Sequence, residues 1–285
     1  MTTNDISLIS RMVANEADMA YRRRVQTIFE WLQPRDTDLI LDGGCGRGFY
    51  LNFLQRACQA RTVGIELDFS YARVGRLALG PTAVVLNGNL DQLGFAASTF
   101  DKAILSEVLE HVDNDVQVLR SVARVLKVGG LVAITVPNAN YPFWWDPINR
   151  LLEAALHVHI TKGLFAGIWA NHVRLYSMEE LRTVVTKSGL EIADERSFTH
   201  YSFPFIHNIV YGLGKSLLEA NLLPRDVAAA ANRYYLSGER GSLLNPVNLG
   251  LALFEWFDRG NTMNEPLERS TVNVCILARK PVAWQ

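Results

Sequence analysis

The sequence predicts an α/β fold in which a parallel sheet is covered by helices on both faces. Between residues 39 and 136, short apolar runs that suit buried strands alternate with amphipathic segments at least four times. Parallel strands need long crossover connections, usually helices, so this alternation favours right-handed crossover units. The length agrees with this fold, because 285 residues with 49% hydrophobic side chains can bury a full core without disulfides or a structural metal.

The elements of this first half follow from apolar periodicity and from helix-breaking residues. Tyr21–Leu32 places apolar side chains on one helical face and ends before Pro34. The predicted strands are Leu39–Leu41, Thr62–Glu66, Ala83–Leu86, Lys102–Leu105 and Leu131–Val136. The predicted helices between them are Phe49–Ala60, Ser70–Leu79 and Asp115–Leu126. We expect Gly129 and Gly130 to end the last of these helices before the fifth strand begins.

The second half of the chain lacks this regular alternation. Asn138–Tyr176 is rich in aromatic residues and interrupted by prolines. Ser177–Glu180 has the pattern of a capping box, which predicts a helix that ends at Gly189. Leu190–Phe198 and Thr271–Ala278 are predicted as the last two strands. The segment 199–270 between them is predicted to contain helical stretches at Val210–Leu223 and Arg225–Tyr235 and an apolar segment at Val247–Phe257.

Charge and cysteine content exclude several classes of protein. The 28 Lys and Arg residues balance 29 Asp and Glu residues, so the net charge of −1 gives no basic excess for nucleic acid. Cys45, Cys58 and Cys275 lack a CxxC spacing and are predicted to be free thiols in a reducing compartment. No apolar run suits a signal peptide or a membrane span. We therefore expect a cytoplasmic protein with no membrane span and no nucleic-acid partner.

The motif that carries chemistry is Asp42-Gly-Gly-Cys-Gly-Arg-Gly48, which lies between a predicted strand and a predicted helix. Glycines at such a turn let backbone N–H groups approach a ligand, and the helix N-terminus faces that ligand. The dinucleotide fingerprint G-x-G-x-x-G, started at Gly44, would need glycine where Phe49 stands. The motif present is D-x-G-x-G-x-G, and it resembles motif I of the class I S-adenosylmethionine-dependent methyltransferases.

Later parts of the chain fit the same resemblance. Glu66 ends the second predicted strand, and Gly88–Asp91 follows the third. The family usually has aspartate where Asn89 stands, but an amide oxygen can also face the amino group of adenine. Ser106–His111 and Leu126–Gly130 are further family landmarks. The resemblance covers about residues 20–200 and the last strand, and it implies a Rossmann-like seven-stranded methyltransferase sheet, mostly parallel with an antiparallel last strand and helical insertions.

The resemblance also implies which residues bind S-adenosylmethionine. Glu66 would hold the ribose, and Asn89 and Leu90 would flank the adenine. The expected cofactor-binding residues are Asp42, Gly43, Gly44, Cys45, Gly46, Glu66, Leu67, Asn89, Leu90 and Ser106. Cys45 is expected to fill space in the loop and not to act as a nucleophile. Because the sulfonium already supplies the leaving group, the protein has to align the acceptor, exclude water and, for a hydroxyl acceptor, remove a proton.

A second constellation combines carboxylates and histidines. Glu107, Glu110 and His111 have the spacing of one helical face, and His172 follows later in the chain. This pattern is similar to that of metal-assisted O-methyltransferases, including small-RNA 2′-O-methyltransferases and ubiquinone-biosynthesis enzymes. The same string is also common in class I relatives that use no metal. Three interpretations stay open: a divalent metal site of these four residues, a catalytic base at His111, or a polar cover beside the cofactor.

The segments outside the regular half are expected to serve the acceptor. Segment 138–176 is predicted to cover the acceptor site, and its aromatic residues either line an apolar pocket or form ordinary core. The helical insertion 199–270 is expected to enlarge the pocket, form a homodimer surface or dock on a membrane. Its few Lys and Arg residues argue against membrane docking.

Together these observations predict that residues 1–285 form a single class I methyltransferase domain. It would transfer a methyl group to a small or medium apolar acceptor, on oxygen. The alternatives are an NAD(P)-dependent oxidoreductase on a similar sheet, and a non-catalytic cofactor-binding relative that acts as a scaffold.

Overall fold

A computed structural model describes residues 3–210 and 246–284. They form a seven-stranded sheet with helices on both faces, as the alternation of segments predicts. The strands are β1 (Leu39–Gly43), β2 (Arg61–Glu66), β3 (Ala83–Asn87), β4 (Phe100–Ser106), β5 (Leu126–Pro137), β6 (Glu191–Phe198) and β7 (Asn273–Arg279). The helices are α1 (Thr3–Met12), α2 (Met19–Leu32), α3 (Phe49–Ala57), α4 (Phe69–Ala78), α5 (Asp115–Val125), α6 (Pro147–Leu156), α7 (Met178–Lys187) and α8 (Pro246–Asp258).

The strand order is β3-β2-β1-β4-β5-β7-β6. Strands β1 to β5 are parallel to one another, and β7 is antiparallel to both β5 and β6. This confirms the predicted mostly parallel sheet with an antiparallel last strand. The order reverses between β1 and β4, and open α/β sheets bind ligands beyond the carboxyl ends of the strands at such a switch point. The fold therefore places the glycine loop after β1 at the expected ligand site.

Each face of the sheet has its own apolar layer. Helices α5 and α7 cover one face with the buried side chains Val118, Leu119, Val122, Leu181 and Val185. Helices α2 and α3 cover the other face with the buried side chains Val25, Ile28, Phe29, Phe53 and Leu54. Because the central strands are buried on both faces, they consist mainly of apolar residues without alternation.

The prediction for the junction between α5 and β5 is wrong. Gly129 and Gly130 do not end the helix, which stops at Val125, and β5 begins at the next residue. Leu126 has extended backbone angles (φ −69°, ψ 142°) and pairs with Phe100, after which the register between β4 and β5 shifts. Gly129 has a φ of +76° inside β5. The two glycines thus belong to an irregular start of the strand, which resembles a bulge.

The segment 138–176 has a small core of its own. Tyr141, Trp145, Ile168 and Leu175 are buried together with Ala20, Ile206 and Val272, which come from α2, from the start of the insertion 199–270 and from the chain just after it. The aromatic residues nearest to β5 are therefore divided between this core and the surface, since Trp144 is exposed. We call residues 138–176 the cover segment.

Residues 199–270, the predicted insertion, follow β6 and precede β7. The apolar segment expected at Val247–Phe257 lies within α8, which is tied to α2 by ion pairs from Arg22 to Glu255 and from Arg23 to Asp258. The helical stretches predicted at Val210–Leu223 and Arg225–Tyr235 lie outside the described residues, apart from Val210 itself. Within the described ranges, no helix has the length and the apolar character that crossing a membrane requires.

Candidate active site

The glycine loop connects the carboxyl end of β1 to α3. Gly44, Gly46 and Gly48 have φ angles of +70°, +53° and +81°, a backbone region that glycine adopts at little cost. A Cβ atom at Gly44 would lie 2.6 Å from Val108, so the loop packs closely against the turn after β4. A Cβ atom at Gly46 would meet nothing within 4 Å. The loop is therefore close-packed on one side and open to a ligand at Gly46.

Asp42 lies at the base of this loop and is almost fully buried. Its Oδ2 atom has no hydrogen-bond partner among the described residues. Burial, and next the negative charge of Glu66, raise the pKa of Asp42 well above its ordinary value. A buried carboxyl group without a partner is unfavourable, so the site favours a cationic or hydrogen-bond-donating ligand at this position.

Glu66 connects the glycine loop to the turn after β2. Its Oε2 accepts a hydrogen bond from the backbone N–H of Gly46 at 2.8 Å, and its Oε1 accepts one from Asp68 at 2.8 Å. Asn87 donates to the carbonyl oxygens of Glu66 and Leu67 at 2.9 and 2.8 Å. The sequence interpretation missed Asn87, whose only signal is its position at the end of β3, where it pairs with Glu66.

Three of the expected cofactor-binding residues, Leu67, Asn89 and Leu90, occupy different environments. Leu67 is 71% exposed, whereas Leu90 is buried and approaches Gly43, where an added Cβ atom would lie 3.1 Å from its Cδ2. Asn89 is exposed and caps the short turn that follows, because its Oδ1 accepts from the N–H of Asp91 at 3.0 Å. The fold thus brings Leu67 and Asn89 to the same edge of the sheet as the glycine loop, while Leu90 supports the loop from below.

Cys45 is buried against β2. Its Sγ atom would lie 2.6 Å from a Cβ atom at Gly64, which shows how closely the glycine loop approaches β2. Burial, followed by the charges of Asp42 and Glu66, raises the pKa of the Cys45 thiol above its ordinary value. The group therefore stays a thiol at neutral pH, which agrees with its predicted space-filling role.

Ser106 belongs to a chain of hydroxyl groups beneath the site. Its Oγ atom lies 2.9 Å from the Tyr50 Oη atom and 2.9 Å from the Thr135 Oγ1 atom. Thr135 in turn donates to the Glu107 carboxylate at 3.2 Å. Burial raises the pKa of Tyr50, so it remains a phenol. Tyr50 and Thr135 were missed from the sequence, since hydroxyl residues far apart in the chain carry no spacing signal.

The expectation that Glu107, Glu110 and His111 share a helical face is wrong. Glu107 has a φ of +56°, which breaks any helix, and only Leu109–His111 forms a short 3₁₀ turn. The Glu107 carboxylate lies 2.6 Å from the Arg24 guanidinium and accepts from Asn273 at 3.1 Å. Glu107 is therefore held by α2 and β7 and is not part of the cluster that Glu110 forms.

The structure does bring Glu110, His111 and His172 together. The Nε2 atoms of both histidines lie 3.9 Å from the Glu110 Oε1 atom, and the imidazole rings are 4.7 Å apart. One potential ligand atom from each of the three residues lies within 4.8 Å of the others. The His111 Nδ1 atom lies 3.0 Å from the carbonyl oxygen of Asn171 and donates to it, so Nε2 keeps a lone pair that faces the cluster.

Burial dominates the electrostatics of this cluster. Glu110 is fully buried, and neither of its carboxyl oxygens has a hydrogen-bond partner in the described part of the chain. Burial, and next the charge of Glu107, raise the pKa of Glu110, whereas burial and then His111 lower the pKa of His172 to about 3. The imidazole of His172 is therefore neutral at physiological pH, which is the form that binds a metal.

The cover segment positions His172 near the carboxyl end of β4. The backbone N–H of Val173 donates to the carbonyl of Glu110 at 2.8 Å. Tyr176 donates to the carbonyl of Leu109 at 3.1 Å and to the carboxylate of Asp115 at 2.7 Å. These bonds fix a segment that is some 60 residues away in the sequence, so the cluster depends on the cover being in place.

Comparison with known proteins identifies the domain that contains the glycine loop. Residues 41–134 match the family model described as a methyltransferase domain. A probable S-adenosylmethionine-dependent methyltransferase of Mycobacterium tuberculosis H37Rv is 32% identical over 118 residues, which are 41% of this chain and 42% of that protein. Residues 41–134 are a methyltransferase domain. The predicted family and cofactor are therefore confirmed.

Another relative is similar over a stretch longer than this domain. A ubiquinone biosynthesis O-methyltransferase of Hydrogenovibrio crunogenus is 28% identical over 137 residues, which are 45% of this chain and 56% of that protein. The chain thus matches about half of the length of these two relatives.

Solved structures with the same fold cover nearly the whole chain. The [4+2]-cyclase SpnF has a TM-score of 0.54 at 17% identity, over 92% of this chain and 82% of that one. A putative methyltransferase from Bacillus halodurans C-125 has a TM-score of 0.53 at 14% identity, over 90% of this chain and 98% of that one. At this level of identity the likeness concerns the fold alone, so the reaction has to be argued from the site.

The residues of this methyltransferase domain fit S-adenosylmethionine. The cofactor carries a sulfonium and an ammonium group, and the buried, unpartnered Oδ2 atom of Asp42 suits a cationic ligand. The open side of the loop at Gly46 leaves room for a ligand against the backbone.

Proposed function

We propose that this protein transfers the methyl group of S-adenosylmethionine to an oxygen atom of a small or medium apolar acceptor. The observation that carries the proposal is the Glu110–His111–His172 cluster, which lies under the cover segment at the carboxyl end of β4. A hydroxyl acceptor has to lose a proton, and this cluster offers either a base or ligands for a divalent metal.

The apolar nature of the acceptor is supported by the cover segment. Tyr141, Trp145 and Ile168 belong to the apolar core of this segment, which also carries His172. Small-molecule sites are usually lined by such side chains, with a few polar groups that orient the ligand. The Hydrogenovibrio relative is named for both ubiquinone biosynthesis and O-methyl transfer, which supports the same acceptor class.

The cofactor supplies an activated methyl group on a sulfonium that leaves as a neutral thioether. The role of the protein's own residues is to bind and orient the cofactor. In this proposal Asp42 and the backbone of Gly43, Gly44, Cys45 and Gly46 face the cationic end of the cofactor. The ribose and adenine are assigned to Glu66, Leu67, Asn89 and Leu90, and Ser106 lies below them at the end of β4. Because alignment provides most of the rate in a displacement of this kind, rigid support of these groups matters more than any single charge.

We further propose that Glu110, His111 and His172 hold a divalent metal ion, without Glu107. A metal ion at this position would lower the pKa of an acceptor hydroxyl bound to it. The two unpartnered oxygens of Glu110 and the fixed Nε2 atom of His111 support three-ligand binding of this kind. Glu107 is left out because Arg24 and Asn273 already bind its carboxylate.

The acceptor is tested by incubating the purified protein with S-adenosylmethionine that carries an isotopically labelled methyl group. We expect labelled product from phenols, quinols or lipid-like alcohols, and mass spectrometry would locate the label on oxygen. Ready labelling of a polar sugar or a protein, with none of the apolar compounds, would contradict the proposal. Cofactor binding without turnover across the whole panel would instead favour a scaffold.

The metal site is tested by titrating Zn²⁺ into the wild type and into Glu110→Gln and His172→Asn variants. We expect each substitution to weaken Zn²⁺ binding by about 10-fold to 100-fold or more, since one of three ligands is lost. His159→Asn, which changes an exposed histidine stacked on Trp169, serves as the matched control and should bind Zn²⁺ like the wild type. Activity that survives a chelator but is lost in His111→Asn would assign His111 as a base and reject the metal.

A further inference from the structure

Helix α6 of the cover segment has its polarity inverted. Asn149 is fully buried, and its side chain donates to Asp146 at 2.7 Å and to the carbonyl of Ala166 at 3.1 Å. By contrast, Leu151 and Leu156 on the same helix are 59% and 63% exposed. A helix at a water-facing surface normally places its apolar stripe inward and its polar side chains outward. The outer face of α6 is therefore built for an environment other than water.

The charged residues of α6, Arg150 and Glu153, also contact the rest of the protein. Glu153 accepts hydrogen bonds from Tyr141 at 2.8 Å and from Trp169 at 2.5 Å. Arg150 donates to the carbonyl of Tyr141 at 3.0 Å, and its guanidinium lies 4.1 Å from the centre of that ring. The polar groups thus fix the helix to the rest of the cover segment, and the inversion is a consequence of specific bonds.

Further exposed apolar side chains adjoin this helix. The backbone N–H of Phe205 donates to the carbonyl of Trp144 at 3.1 Å, and Asn208 donates to the carbonyl of Leu164 at 2.8 Å. These bonds link the chain before α6, the chain after it and the start of the insertion into one region. We define its exposed apolar side chains as the cover surface: Trp144, Leu151, Leu156, Val158, Leu164 and Phe165.

The exposed charged residue of the segment that carries the cover surface is a lysine, Lys162. Segment 143–165 is described throughout, and its acids are Asp146, which is 1% exposed, and Glu153, which is bound as above. Lys162 and the histidines at 157 and 159 are exposed at the end of the helix and beyond it. An aliphatic face with an exposed tryptophan, an exposed lysine and no exposed acid in segment 143–165 suits the boundary between headgroups and acyl chains of a bilayer that contains anionic lipid.

We propose that the cover surface docks this protein on an anionic lipid bilayer, with α6 lying in the interface and not across the membrane. The docking goes beyond the proposed methyl transfer, because it is measured without an acceptor and without turnover. It would place the cover segment, and the site beneath it, next to the phase in which apolar compounds concentrate.

The test is flotation with vesicles of phosphatidylcholine and phosphatidylglycerol, and with vesicles of phosphatidylcholine alone. We expect the wild type to float with the vesicles that contain phosphatidylglycerol. The double substitution Leu151→Asn and Leu156→Asn should lower the partition coefficient about 10-fold or more, because two leucine side chains lose their apolar contact. Leu77→Asn changes an even more exposed leucine on α4, which lies outside the cover surface, and should leave the partition unchanged.

Three results would overturn the docking. The first is a wild type that stays in the aqueous fraction with both kinds of vesicle. The second is an equal loss of binding in Leu77→Asn. The third is a dimer, detected by light scattering, that dissociates in the double variant, since a second copy would then cover the surface. Calorimetric titration with S-adenosylhomocysteine shows whether each variant is folded and has an intact cofactor site. Because flotation needs neither an acceptor nor turnover, a failure of docking is distinguishable from a failure of the proposed methyl transfer.

Discussion

Two buried carboxyl groups, Asp42 and Glu110, lie near the carboxyl ends of β1 and β4. Burial raises the pKa of each, and each has an oxygen that the described part of the chain leaves without a hydrogen-bond partner. Such groups reduce the stability of a protein unless a ligand compensates them. Their position at the switch point of the sheet indicates that ligand binding, and not folding, explains why they are there.

Asp42 gives a prediction about both stability and binding. Its raised pKa means that the folded chain holds the proton more tightly than the unfolded chain does. Stability is therefore lost as the pH rises from the ordinary pKa of 3.8 toward the raised value. Asp42→Asn does not titrate, so urea unfolding of the cofactor-free variant should show a higher free energy of unfolding at neutral pH.

The same substitution removes the negative charge offered to the cofactor. We expect S-adenosylmethionine to bind to Asp42→Asn about 10-fold more weakly in a calorimetric titration, which is the usual effect of losing a charged hydrogen-bond partner. Asp113→Asn, at an exposed position outside the loop, is the matched control. Unchanged cofactor affinity in Asp42→Asn would contradict the assignment of this carboxylate to the cofactor.

Residue-level prediction worked where a local pattern encodes a local requirement. The glycine motif did so, because positive φ angles at three alternate positions need glycine. The sequence did not predict roles for Arg24 and Tyr50, because each is an ordinary helix residue. Only the fold places Arg24 beside Glu107 and Tyr50 beside Ser106. No spacing rule links residues that meet only through tertiary contacts.

At the scale of single elements, the ends of α7 and α5 show where sequence signals hold. The capping box predicted at Ser177 is present, with Ser177 and Glu180 each bonding to the backbone of the other. The glycine pair after α5 misled the prediction, since Leu126 takes an extended conformation as soon as it can pair with β4. A cap is satisfied within four residues, whereas a strand begins where a partner strand is available.

The cap of α7 is expected to contribute measurably to stability. Ser177→Ala removes the side-chain acceptor of the Glu180 N–H and should lower the free energy of unfolding by about 1 kcal/mol. Thr183→Ala, at an exposed position in the same helix, is the control and should change it by less than about 0.5 kcal/mol. Urea unfolding measures both, and equal losses in the two variants would exclude a specific role for the cap.

At the scale of the whole molecule, the sheet order joins the glycine loop, Glu66 and the Glu110 cluster along one edge. A ligand that bridges these loops should stabilise the protein as a whole. At a cofactor concentration of roughly 100 times the dissociation constant, the gain is about 2.7 kcal/mol, and the melting temperature should rise by roughly 5–10 °C.

Differential scanning fluorimetry with S-adenosylmethionine measures this shift. NAD⁺ at the same concentration is the comparison, because the alternative of an NAD(P)-dependent oxidoreductase predicts the opposite ranking of the two cofactors. A shift with NAD⁺ and none with S-adenosylmethionine would overturn the assignment of the loop after β1 to S-adenosylmethionine.

The sequence by itself determined the α/β class, most of the strands and helices, the glycine loop and the cofactor. The class, the elements and the loop depend on periodicity and on backbone requirements that only neighbouring residues have to meet, whereas the cofactor follows from the resemblance to a known family. Tertiary structure decided that Glu107 joins Arg24 while His172 joins Glu110, and that α6 turns its leucines outward. Those outcomes depend on which distant segments the sheet order brings together, because burial and charge pairing are set by neighbours in space and not along the chain.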